Sequence, residues 1–128
     1  MKAAVLGDHG LEIRDVPAPK PKAGEILVRV RAAGLNRAEV LMSTGYRHGN
    51  QGGPGTIVGL EWSGEVVEAA PDVTGFKPGQ RVMCSGGGGY AEYAVADARV
   101  LHTPGFFAGG LLEAHRGRRH RPVAAGHA

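Results

Sequence analysis

One cysteine, one tryptophan and three tyrosines in 128 residues leave several chemistries without material. The single thiol, Cys84, excludes an internal disulfide and any all-cysteine metal site, so a reducing, intracellular setting is expected. No apolar run approaches the ~18 residues that a membrane span needs. No charged-then-apolar leader opens the chain, so the cytoplasm is the expected compartment. The body also lacks a charge of one sign. Residues 1–104 hold 11 Lys/Arg and 11 Asp/Glu, and the whole excess of +3 falls in residues 105–128, with 4 Arg and 1 Glu. Four arginines without aromatic interleaving make a poor nucleic-acid signal, and neither a nucleic acid nor a membrane is expected as partner.

Glycine is plentiful instead: 22 residues, with 8 prolines beside them. That mixture suits a small β-rich domain with many turns. Residues 2–6 and 11–16 flank a Gly/Asp turn and read as a hairpin. From Glu25, Ile26, Val28, Val30 and Ala32 alternate with Leu27, Arg29 and Arg31, the period of a half-buried antiparallel strand. Asn36 can cap a short helix over residues 37–42. Residues 45–56 carry five glycines and a proline in twelve positions, which predicts a long loop. Strands are predicted at 64–70, 81–84, 90–95 and 99–101. Four glycines at 86–89 lead into a strand rather than a helix, so they read as a flexible connection, not a phosphate cradle.

The ordered motifs GEILVRVRAAGLN (24–36), GLEWSGEVVE (59–68), GFKPGQRVMC (75–84) and GYAEYAVA (89–96), with the loop residue Tyr46, resemble the N-terminal half of medium-chain dehydrogenase/reductases. They look most like the NADPH-dependent quinone oxidoreductases. The resemblance implies a mainly β fold, a GroES-like rolled β-barrel of short strands with one or two short helices over residues 1–104. It also implies no zinc. Asn36 stands where a zinc member carries cysteine and Leu60 where it carries histidine, and neither can enter a tetrahedral zinc shell. Cys84 runs straight through the glycines to Tyr90, with no four-cysteine lobe between.

By that resemblance, Asn36 and Tyr46 are the catalytic pair, orienting a quinone or enone acceptor against NADPH, and Asn36, Arg37 and Met42 line the cofactor. Each has a plainer reading: helix cap for Asn36, loop anchor for Tyr46. Glu61 is expected to bond neighbouring backbone or to pair with Arg37 in a buried ion pair. Trp62 is expected in the core, Cys84 inert, and His9, His48 and His102 exposed.

Nowhere in the 128 residues is there a strand, a G-x-G-x-x-G turn and a helix in sequence, so no Rossmann half is expected. Residues 111–115 (LLEAH) resemble the segment that precedes that half, after which arginine-rich sequence takes over. The expectation is a frame change or truncation near 104–116, with residues 105–128 a poorly ordered or out-of-frame tail. Three readings follow: a catalytic-domain remnant without useful turnover, a half-enzyme completed by a separate Rossmann chain, and a stand-alone GroES-like binding module. A barrel with uncovered apolar surface would also favour a homo-oligomer.

Overall fold

The computed structural model describes residues 1–103, and the expected tail at 105–128 lies outside the described residues. Strands β1 (Lys2–Gly7) and β2 (Gly10–Asp15) form the expected hairpin, in register from Lys2 opposite Asp15 to Gly7 opposite Gly10. The remaining strands are β3 (Glu25–Ala33), β4 (Glu61–Ala69), β5 (Arg81–Ser85), β6 (Tyr93–Asp97) and β7 (Leu101–His102). They build one curled sheet in the order β6-β3-β4-β5-β7, with every neighbour antiparallel.

Alternation along β3 works as its sequence requires. Ile26 and Val28 are fully buried, while Arg29 and Arg31 face outward, Arg31 pairing with Glu65 of β4 at 3.0 Å. The main core gathers Ile26, Val28, Trp62, Val66, Val82 and Cys84. Each such aliphatic side chain contributes about 1.5–3 kcal/mol by leaving water. The β3–β4 register slips twice, between Leu27 and Val28 and between Val30 and Ala32. The second slip bends the strand away from the core, so Ala32 and Ala33 are exposed and the chain runs out toward Gly34 and Asn36.

Three expectations are corrected by backbone bonding. The strand predicted from residue 90 begins its ladder at Tyr93, because Tyr90 bonds elsewhere: its N–H donates to Val58 and its carbonyl accepts from Ala4, both at 2.8 Å. The strand predicted at 99–101 is a 3-10 turn over Ala98–Val100, followed by the short β7. The Asp97 carboxylate drives that turn by accepting the Arg99 N–H at 2.9 Å. The glycines at 86–89 are packed rather than merely flexible. Gly87 accepts the Trp62 indole N–H at 3.2 Å, and a Cβ on Gly89 would lie 2.5 Å from the Trp62 ring. Residues 45–56 contain neither helix nor strand, as expected.

Candidate functional site

The site is built where three segments converge on one short helix, α1 (Arg37–Met42). The segments are the end of β3 through Asn36, residues 58–61 entering β4, and residues 89–91 before β6. Backbone bonds stitch them together. Val58 donates to Ala4 at 3.2 Å, Tyr90 donates to Val58, and Gly34 donates to Glu61 at 3.0 Å. Gly59 makes the close approach possible. It adopts a φ of 109°, and a Cβ there would lie 2.6 Å from the Tyr90 nitrogen. Beneath the junction lies a second, smaller core of Leu6, Met42 and Val58, with Ala38, Leu60 and Tyr90 packed against it.

Glu39 is the centre of this junction. Its side chain is the one buried charged group among the described residues, at 3% exposure. Three donors converge on its carboxylate: the Asn36 N–H on Oε2 at 2.7 Å, the Leu60 N–H on Oε1 at 2.9 Å, and the Tyr90 hydroxyl on Oε2 at 2.5 Å. Burial pushes its pKa up, but the hydrogen bonds from Tyr90, Asn36 and Leu60 outweigh burial, and the net shift is downward. An ionised carboxylate, acceptor only, matches three donors. Tyr90 moves the opposite way. Burial first, then the Glu39 bond and the charges of Glu39 and Glu61, push its phenol up to about 12. Its hydroxyl also lies 3.0 Å from the Gly34 carbonyl, but its one proton goes to the nearer carboxylate.

Asn36 occupies the N-cap position of α1 in extended conformation, φ −116° and ψ 144°. The Glu39 carboxylate closes the helix end by reaching back to the Asn36 N–H. The Asn36 Nδ2 is buried without a hydrogen-bond partner among the described residues. The Asn36 side chain adds the smallest of the contributions that hold the Glu39 carboxyl pKa down.

The sequence-expected residues separate into groups. Asn36 and Arg37 sit together at the start of α1, Arg37 exposed. Tyr46 lies beyond the other end of the helix, 53% exposed, its N–H bonded to the Leu41 carbonyl. Met42 points inward: at 2% exposure it packs on Leu6 and Val58. The Glu61–Arg37 pair does not form. Glu61 is exposed beside Gly34, and the buried carboxylate is Glu39. Trp62 and Cys84 are core residues, and burial pushes the Cys84 thiol up to about 11. His9, His48 and His102 are exposed. A cleft of about 590 Å³ opens beside the junction, lined by Gly34, Glu61, Trp62, Cys84 and His102 among others; Asn36 and Tyr46 are not in its wall.

Glu39 escaped the sequence reading. The signal that could have found it is the spacing Asn-x-x-Glu at 36–39, a capping-box pattern. Among the described residues no three His, Cys, Asp or Glu side chains gather as a metal site, and no helix is long and apolar enough to cross a membrane.

Known proteins resemble this chain over most of its length. The chain is similar to the quinone oxidoreductase of Pseudomonas aeruginosa, 39% identical over 107 residues, covering 80% of this chain and 32% of the relative. It is similar to the acryloyl-coenzyme A reductase of Metallosphaera sedula, 40% identical over 85 residues, covering 65% of this chain and 25% of the relative. The crystal structure of the human synaptic vesicle membrane protein VAT-1 homolog-like protein superposes with a TM-score of 0.73 at 29% identity, covering 80% of this chain and 35% of that one. The chain therefore spans about a quarter to a third of the length of the curated relatives it matches. Residues 22–105 match the alcohol dehydrogenase GroES-like domain, and the chain belongs to that family, among the medium-chain oxidoreductases.

Proposed function

We propose that this chain is the acceptor-binding front part of a zinc-independent reductase that moves a hydride from NADPH to a quinone or an activated alkene. One observation carries the reading. The backbone N–H groups of Asn36 and Leu60, the positions at which zinc members bear a thiolate and an imidazole, both donate to the Glu39 carboxylate. The outline of a metal site is thus held together by a side chain, while an amide and an alkyl group stand at the ligand positions. Relatives named for quinones and for an acryloyl thioester support an electron-poor acceptor.

NADPH fits the residues present, since the buried and unpartnered Asn36 amide has hydrogen-bonding capacity to spare. Asn36 and Arg37 would lie along the nicotinamide, which supplies the hydride when bound. Asn36 and Tyr46 orient the acceptor. Tyr46, half-exposed at the far end of α1, offers a flat ring to a flat substrate and a hydroxyl to its oxygen. An acceptor that is already electrophilic needs no Lewis acid, so the protein's work is orientation and exclusion of water.

A second reading, a half-enzyme completed by further polypeptide, is favoured by the exposed apolar side chains of Val40 and Leu41 on α1 and of Leu35 and Tyr46 flanking it. The test is titration of 1,4-naphthoquinone and of NADPH into the ¹⁵N-labelled chain. Shifts at Asn36 and Tyr46 with naphthoquinone, weak NADPH binding and no NADPH oxidation are expected. Tight NADPH binding by the chain alone, or no response to either compound, would overturn the reading.

A further inference from the structure

We propose that Glu39 and Tyr90 are positioning residues of the acceptor site, a carboxylate-centred brace that joins residues 36, 60 and 90 and fixes the Asn36 amide in one orientation. The inference deepens the functional reading above and rests on it for the identity of the ligand.

The geometry carries it. A GroES-like domain of this outline brings Asn36 and Leu60 from separate segments, and no hydrogen bond runs directly between the two residues. Glu39 does so with both carboxylate oxygens, one on each N–H. Tyr90 comes from a third segment and binds the same oxygen as Asn36, which limits the carboxylate to one rotamer. The chain at Tyr90 is itself pinned on both sides, by Val58 and Ala4. Every direction in which Glu39 could swing is therefore met by a donor that would be left unpaired.

Its effect on Asn36 follows from charge. An ionised carboxylate attracts the amide N–H₂ end and repels the oxygen end, and Nδ2 is the buried end of the Asn36 side chain. The buried Nδ2 is thus held in one place with its donor capacity unspent. A bound ligand meets an Asn36 amide whose setting is inherited from Glu39 rather than chosen by the ligand. This preorganisation is what a loose surface asparagine would lack.

The test uses the full chain with Tyr90→Phe and Glu39→Gln, and Val66→Ala as a control that removes packing from the main core alone. Tyr90→Phe keeps the ring and deletes one donor, so it remains informative should Glu39→Gln fold poorly. Two quantities are read: the ¹⁵N–¹H signals of the Asn36 side-chain amide in the free chain, and the dissociation constant for 1,4-naphthoquinone. In both brace variants the two Asn36 amide proton signals are expected to move toward the shifts of an exposed asparagine as the side chain averages over rotamers. Naphthoquinone affinity is expected to fall about tenfold, the worth of one hydrogen bond. Val66→Ala should lower the melting temperature and move neither quantity. Unchanged Asn36 signals in folded Tyr90→Phe and Glu39→Gln would overturn the brace whatever the affinity does. Asn36 signals that move in this way, without naphthoquinone binding by the wild-type chain, would uphold the brace and remove the reductase reading.

Discussion

Replacing Glu39 by glutamine changes one oxygen into an amide nitrogen at a site that offers only donors. Glutamine has a single acceptor oxygen and two orientations. With its oxygen at the Oε2 position it keeps Asn36 and Tyr90, at 2.7 and 2.5 Å, but turns its NH₂ on the Leu60 N–H. In the reverse orientation it keeps Leu60 and turns NH₂ on Asn36, while Tyr90 accepts from it and passes its own proton to the Gly34 carbonyl 3.0 Å away. Either way one buried N–H is orphaned, costing about 1–3 kcal/mol, and the surviving bonds lose their charged acceptor. Against this stands relief of burying a charge. The expected net loss is about 2–3 kcal/mol, which for a domain of this size moves a urea midpoint by about 2 M with an unchanged slope.

The pH dependence fixes the sign. Glu39 in the folded chain sits below its ordinary 4.5, so the unfolded chain takes up its proton first as pH falls. The stabilisation from its ionisation is complete above 4.5 and fades as pH drops through the lowered folded value. The titratable group bonded to it is the Tyr90 hydroxyl, whose phenol is pushed up to about 12 and keeps its proton throughout that window. Wild type and Glu39→Gln should therefore converge in stability toward low pH. A difference below about 0.5 kcal/mol at pH 7, or one that stays constant into acid, would refute the argument, because a spent surface charge behaves that way.

Gly59→Ala should cost at least about 3 kcal/mol or prevent folding in a thermal melt. It forces an L side chain into φ 109° and against the backbone of Gly89 and Tyr90. Met42→Ala should lower stability by about 2–5 kcal/mol, the cost of a core cavity, while leaving NADPH affinity unchanged; a selective loss of affinity would restore Met42 to the cofactor surface. One of the three tyrosines should ionise late in an ultraviolet titration, with a midpoint near 12 that Tyr90→Phe removes. Cys84, buried with its thiol raised to about 11, should resist Ellman's reagent at pH 8 until urea unfolds the chain.

The fold was legible because its signals are local and periodic. The alternation from Ile26 to Val30 and the turn between residues 7 and 10 each name their structure within a few residues. The positions that misled are those where one segment bonds a distant one. Tyr90 looks like the first residue of a strand, and nothing nearby says that Ala4 and Val58 hold it. The glycines at 86–89 look like slack until Trp62 is seen lying against them.

Charge was the hardest property to place, and the reason is physical. A carboxylate on a short helix two residues after an arginine reads as solvated, and Glu61 beside Leu60 reads as the residue to be paired. Yet a buried charge needs donors, and backbone N–H groups cost the sequence nothing to supply and leave no mark in it. Glu39 obtains two of its three from the main chain, at residues 36 and 60. Its one side-chain partner lies 51 residues away. A zinc site announces itself through cysteine and histidine spacing, whereas a carboxylate that ties the same two positions by their backbone can do so under almost any side chains. What ties Asn36 to Leu60 is therefore a neighbour three residues from one and 21 from the other, visible only once the chain is folded.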